Sequence, residues 1–353
     1  MALAVVTMLP VMASANDVYA QPAAKAADQS TPPAPPSSRL PVVASFSILG
    51  DLVNEVGGDR VAVTTLVGRD SDAHVFQPAP KDVKTVASAR VLVIHGLGFD
   101  GWMNRLASTG GAGAGRIVVE ASQGMPARPQ PAAKAAEAHP GHSHEPDDDH
   151  DHDHDHNQAR DRNQDRDHNQ ARDHNHGPID PHAWQDPRNV VTYVRNIASG
   201  LTRADPAGAA YYARRATAYT ARLTELDGWI TQRIAQVPAA QRKVITSHDA
   251  FGYFAARYGV TMVAVAGVST NADAGARDMA DIIRLMRRDK IKALFLENIA
   301  NPRLVDQISR ETGAQVGGRL YSDALSAIGG PASTYLAMMR HNVDTLVAGM
   351  QRN

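Results

Sequence analysis

The sequence predicts an α/β protein of two lobes, each built on a mostly parallel sheet and joined by one long helix, with candidate ligand-binding residues at the strand ends. Three observations predict it. Short apolar runs alternate with helical segments in both halves of the chain, the pattern of βαβ units. A continuous helical stretch from about residue 206 to 237 separates the halves; at ~1.5 Å per residue it would reach about 45 Å, long for a globular domain. Histidines fall just beyond strand ends in both halves, where open α/β sheets bind ligands.

The elements follow in order. Residues 1–20 carry an apolar run and a small-x-Ala pattern at Val18-Tyr19-Ala20, as in a secretory signal peptide, although no Lys or Arg precedes the run. Residues 21–39 are a Pro-, Ala- and Ser-rich leader. The first lobe spans residues 40–204. It opens with a buried strand from Leu40, a helix over 48–56 closed by Gly57-Gly58, strands at 61–67, 91–94 and 116–119, and a helix at 82–89. Residues 126–177 lose all pattern and read as a disordered loop. Asp186-Pro187 opens a helix to about Ser199. Asp205 and Pro206 then serve as N-cap and first helical residue of the linking helix, 205–237, which Pro238 ends. The second lobe, 238–353, repeats the alternation: strands at 243–246, 261–265, 293–296 and 315–320, helices at 251–258, 274–289, 303–312 and 333–350.

Composition narrows the chemistry. The chain has 353 residues, 43% hydrophobic, with a net charge of −1, which gives no bias toward nucleic acid. It contains no cysteine, so disulfides, thiolate metal sites, iron–sulfur clusters and a lipid-anchored N-terminal Cys are excluded. Ten of the fifteen histidines lie in one stretch: His139, His142, His144, His150, His152, His154, His156, His168, His174 and His176. Eleven carboxylates and four arginines share that stretch, a net −7 that leaves about +6 for the rest. Imidazole and carboxylate both ligate divalent transition metals. A polar run of this kind cannot form a packed core, so its sites are expected to be weak, fast-exchanging accessories.

The remaining histidines are His74, His95, His182, His248 and His341. His74 and His248 lie just past strands, His182 lies in a loop before a helix, and Asp323 follows the last weak strand. Three imidazoles and one carboxylate, two from each lobe, would make a tetrahedral site suited to zinc. Spacing alone leaves other readings open: each His could be a turn or surface residue, Asp323 could cap a turn, and His248-Asp249 could be a hydrogen-bonded pair.

Five motifs bear on the choice: Asp72-Ala-His74-Val-Phe-Gln-Pro78, Asp180-Pro-His-Ala-Trp-Gln-Asp-Pro187, Ser247-His-Asp-Ala-Phe-Gly-Tyr-Phe254, Phe295-Leu-Glu-Asn298 and Leu320-Tyr-Ser-Asp-Ala-Leu325. Over residues 41–350 the chain resembles the periplasmic solute-binding proteins of zinc ABC importers, the ZnuA-type, cluster A-I family, with the flavour of its AztC-type members. The resemblance implies His74, His182, His248 and Asp323 as ligands of a transported Zn2+ in the cleft. It also implies a monomer in the periplasm that hands its ion to an inner-membrane ABC permease; a periplasmic metallochaperone is left open as a further partner that the chain itself does not reveal. Manganese-binding members of that family carry a carboxylate where this chain has His248, so three nitrogen donors favour zinc. His95 stands where relatives commonly show Asn and is read as structural or supporting. Glu297 could orient a ligand imidazole through its second nitrogen or serve an ordinary hydrogen bond. Asp72 is a doubtful ligand, Trp184 packs beside the site, and His341 lies mid-helix.

The function expected is high-affinity zinc capture for uptake. Since imidazole must be neutral to bind, affinity should fall as pH drops through ~6.5. The alternatives are another divalent metal of the same family, manganese above all, or a metal buffer or adhesin whose business is the tract. A zinc hydrolase with Asp249 or Glu297 as base lacks both an HExxH helix and a glycine-rich phosphate loop.

Overall fold

A computed structural model describes residues 39–109, 115–130, 179–267, 270 and 275–353. The expected signal peptide, nearly all of the leader and all ten histidines of the tract lie outside the described residues.

The first lobe runs β1 (Leu40–Phe46), α1 (Ser47–Gly57), β2 (Val61–Val67), α2 (Pro80–Ser88), β3 (Val91–Ile94), α3 (Gly101–Thr109) and β4 (Ile117–Glu120). Its strands lie in the order β2-β1-β3-β4, all parallel. Val91-Leu-Val-Ile94 is buried along its whole length because helices cover both faces of the sheet. Gly58 ends α1 at φ +50, a conformation glycine adopts without a Cβ penalty. α3 is not among the elements expected from the sequence, and three glycines, Gly96, Gly98 and Gly101, lie on its approach. The helix forms because Trp102, Met103 and Leu106 fall on one buried face.

α4 (Pro187–Ala204) starts where Asp186 accepts the Arg188 N–H at 2.9 Å and Pro187 presets the first turn. It continues past the expected end near Ser199. Gly200, which reads as a stop, instead lets the helix lie against β4: any Cβ there would strike Val119.

The linking helix also starts later than the sequence indicates. Pro206–Gly208 forms a single 3-10 turn, and α5 (Ala209–Ala235) follows. Asp205 caps that turn and also receives two bonds from the Arg60 guanidinium, 2.9 and 3.1 Å, and one from the Tyr212 hydroxyl, 2.6 Å. α5 buries Tyr212, Tyr219, Leu223, Leu226, Ile230 and Ile234, a stripe at helical spacing. Its first half is tied to α1, with Arg215 Nε donating to the Glu55 carbonyl at 2.8 Å.

The second lobe runs β5 (Lys243–Thr246), α6 (Gly252–Tyr258), β6 (Thr261–Ala264), α7 (Ala276–Asp289), β7 (Leu294–Glu297), α8 (Arg303–Thr312), β8 (Val316–Leu320) and α9 (Tyr335–Met350). Here the second half of α5 takes hold: Asp227 accepts from Arg257 and from the Tyr258 hydroxyl at 2.6 and 2.8 Å, and Arg233 pairs with Asp344 at 2.6 Å. The sheet order is β6-β5-β7-β8, all parallel, the same wiring as in the first lobe. Adjacent residues on these strands serve opposite faces. Val244 and Phe295 join the core that is continuous with α5, α9 and the first lobe, whereas Ile245 and Leu294 pack with Met279, Ile282, Val305 and Ile308 of α7 and α8. No helix among the described residues is long and apolar enough to cross a membrane.

Candidate metal centre

The carboxyl ends of the strands meet across the two lobes. His74 follows β2, His248 follows β5 and Asp323 follows β8, while His182 heads the turn before α4. The structure brings these four side chains together, with one donor atom from each lying within 4.8 Å of the others. Nε2 of His74 and Nε2 of His248 each lie 3.0 Å from Oδ2 of Asp323. Nε2 of His182 lies 3.4 Å from Nε2 of His74 and 3.7 Å from Oδ1 of Asp323. A tetrahedral ion with bonds of ~2.0–2.1 Å has edges of ~3.3–3.4 Å, so this spacing suits one small cation bound by all four. All four residues are at most 2% exposed.

Local chemistry aims each donor. Asp72 and Asp180 each stand two residues before a histidine, and in both cases Oδ1 accepts that histidine's backbone N–H, at 2.8 Å for His74 and 3.0 Å for His182. The resulting Asx turns fix the loops. The two aspartates then diverge. Asp72 turns its other oxygen to the Thr270 hydroxyl at 2.6 Å and is not among the clustered donors. Asp180 Oδ1 also meets Nδ1 of His182 at 3.0 Å, which leaves Nε2 to face the cluster. For His248 the same task falls to Glu297. Its Oε1 accepts the His248 backbone N–H at 2.9 Å, and its Oε2 lies 2.5 Å from Nδ1, an ion-pair contact without the alignment of a linear hydrogen bond. Both oxygens of Glu297 thus serve His248.

The second lobe's Ser322 carbonyl accepts from Trp184 Nε1 and Gln185 Nε2, both at 2.8 Å, tying the His182 turn to the Asp323 loop. Arg69 donates to the carbonyls of Ser326 and Ser333, and Asp70 accepts the Ala327 N–H, so the His74 loop is strapped to the same region. Trp184 is fully buried with its ring centroid 5.4 Å from that of His182; it packs beside the cluster as expected.

The electrostatics follow from burial and pairing. Burial lowers the His74 pKa more than the Asp323 carboxylate raises it. Burial also opposes charge on His248, but Glu297 and Asp323 together carry it well above the usual imidazole value. Burial would raise Asp323; the His248 and His182 charges beside it hold it well below the usual carboxylate range instead. Among the described side chains, the ion-pair partners of Asp323 and Glu297 are imidazoles. Buried carboxylates without Lys or Arg partners make the pocket a favourable place for a divalent cation.

His95 is fully buried and lies outside the cluster of donors. Its Nε2–H donates to the Pro181 carbonyl at 2.6 Å, which holds the loop carrying His182. Its ring sits among Phe46, Phe99, Trp184 and Tyr193, and burial pushes its pKa down to about 3. His341 lies on α9 with Nε2 3.0 Å from the Arg319 carbonyl, away from the cluster. The orienting role of Asp180 goes unread in the sequence, although the repeated Asp-x-His spacing was a usable signal. Arg128, 3.2 Å from Asp180, carried no signal at all.

Comparisons with known proteins place the chain among metal-binding transport proteins. Residues 42–349 match the family model described as zinc-uptake complex component A, periplasmic (ZnuA). The manganese-binding lipoprotein MntA of Halalkalibacterium halodurans is 30% identical over 313 residues, 89% of each chain. The iron-binding protein YfeA of Yersinia pestis is 27% identical over 317 residues, 90% of this chain and 88% of that one. Among solved structures, the periplasmic zinc-binding protein TroA of Treponema pallidum superposes with a TM-score of 0.72 at 25% identity, covering 89% of this chain and all of that one. A two-lobed parallel α/β fold and a family match over residues 42–349 lead to one conclusion: the chain belongs to the ZnuA (cluster A-I) family of periplasmic metal-binding, substrate-binding proteins.

Proposed function

We propose that this protein captures Zn2+ in the periplasm through His74, His182, His248 and Asp323 and delivers it to an inner-membrane ABC permease. The observation that carries the reading is the donor set: three imidazole nitrogens and one carboxylate, all buried and within 4.8 Å of one another. Nitrogen-rich tetrahedral sites suit zinc, whereas manganese is better served by more oxygen donors and a higher coordination number. Four protein ligands leave no open position for an activated water, which favours carriage over hydrolysis. Because the donors are buried, an ion reaches them only if the loops that bear them move. The transport role draws support from relatives such as SloC of Streptococcus mutans, named as a metal ABC transporter substrate-binding lipoprotein and 24% identical over 314 residues.

Manganese is the second reading, and the manganese-binding name of the 30% identical relative favours it. Competition titration decides between the two. Zinc should displace manganese completely at equal concentrations, and His74→Ala with His182→Ala should abolish tight zinc binding. Preferential retention of manganese would overturn the zinc assignment. The histidine-rich tract is proposed to gather zinc at weak sites. Excising residues 139–176 should leave the tightest binding event in place; its disappearance would transfer the main role to the tract.

A further inference from the structure

We infer that Arg128, seated by Gly252 and Tyr253 of the second lobe, is a positioning residue that holds Asp180 against His182 and thereby slows release of the bound metal. The inference rests on the four-donor site being the metal's seat.

Arg128 lies eight residues after β4, and its neighbour Pro129 pairs with Ile179 in an antiparallel bridge. The two ends of the histidine-rich insertion are therefore side by side, one residue from Asp180 and three from His182. The Asp180 backbone N–H donates to the Arg128 carbonyl at 3.0 Å. The Arg128 guanidinium donates to Asp180 Oδ2 at 3.2 Å, while Oδ1 of the same carboxylate holds His182 through its backbone N–H and its Nδ1. A relay thus runs from guanidinium to carboxylate to imidazole to the cluster.

The second lobe completes the arrangement. The Tyr253 hydroxyl accepts the Arg128 backbone N–H at 2.9 Å and donates to the Asp180 carbonyl at 3.2 Å, clasping both strands of the bridge. Gly252 gives the charged pair its room: a Cβ at that position would lie 2.5 Å from Asp180 Oδ2 and would collide with the guanidinium as well. Asp180 is 1% exposed, so without Arg128 its outer oxygen would be left buried with no cationic partner. The carboxylate would then be free to rotate away from His182. Outer partners of metal-binding imidazoles change metal affinity by about 10–100-fold when removed.

The test uses the full chain loaded with Zn2+ alone and follows release into excess chelator by stopped flow. Arg128→Gln should speed release about tenfold. Arg128→Lys should recover part of the loss, since it restores charge without the planar fork. Tyr253→Phe, which removes only a hydroxyl and keeps the packing, should speed release in the same direction. The deciding comparison is with Asp180→Asn: if Arg128 acts through Asp180, adding Arg128→Gln to that variant changes nothing further. Unchanged release in Arg128→Gln overturns the inference. So does an equal acceleration in the presence and absence of Asp180→Asn, the mark of a general structural role. His182→Ala provides the separate control. If it leaves zinc release unaltered, the four-donor reading has failed, and the failure is not that of the clasp.

Discussion

His248 illustrates how a donor is aimed by a residue far away in sequence. Its Nε2 faces Asp323 because Glu297, 49 positions along the chain, occupies its Nδ1 side and its backbone N–H. Glu297→Gln keeps the shape but removes the charge, and zinc affinity measured by competition should fall about 10–100-fold with little change in the melting temperature of the metal-free protein. The donors were legible as candidates, because imidazole and carboxylate announce their chemistry and each follows a strand or precedes a helix, while the family resemblance singled out these four. For Glu297 the sequence leaves an orienting role and an ordinary hydrogen bond equally open, and Asp180 stands out in it only as part of a motif. Ligand type is written in a side chain, whereas an orienting partner is defined by an angle and a distance that exist only once two strands are paired.

At the scale of elements, strands and most helices follow from apolar runs and periodicity, and the departures have local causes. α4 overruns its expected end because Gly200 marks a close helix–sheet approach rather than a stop. α5 begins after a 3-10 turn because Asp205 is engaged by Arg60 and Tyr212 as well as by the cap. That pairing gives a prediction. The Arg60 side chain is 5% exposed, so Asp205→Ala leaves a buried guanidinium without its carboxylate and should cost about 3–5 kcal/mol in denaturant unfolding. Leu226→Ala, in the fully buried stripe of α5, should cost about 2–5 kcal/mol by the same measurement, the lower part of the range applying if the neighbouring helices relax into the space.

At the scale of the whole molecule, the lobes are bound by polar contacts at a seam that the sequence could not show. One of them, between Asp51 of α1 and the Tyr335 N–H at the start of α9, measures 2.8 Å. Burial raises the Asp51 pKa from 3.8 to about 6, against the lowering effect of that hydrogen bond. An acid whose pKa is higher when folded binds more protons in the folded state, so stability is greatest below the unfolded value and declines as pH rises from about 4 to about 6. Two pKa units correspond to about 3 kcal/mol at most. Asp51→Asn retains an acceptor for Tyr335 and cannot ionise; its denaturation midpoint should lack this decline, and the variant should exceed the parent in stability at pH 7.5. A parent-like slope in the variant would assign the pH dependence to other groups.

By itself the sequence determined the two-lobed parallel architecture and the lack of thiolate donors, because these depend on residue type, periodicity and position relative to strand ends; it offered His74, His182, His248 and Asp323 as candidates, and the family resemblance singled them out. Tertiary structure alone decided that the four donors share one buried point, that Asp180 and Glu297 rather than Asp72 orient imidazoles, and that Arg128 stands behind Asp180. The reason is physical. Donor spacing of 3.0–3.7 Å arises from two sheets facing each other across a cleft, and no local pattern in a chain encodes the distance between segments that meet only when both lobes have folded.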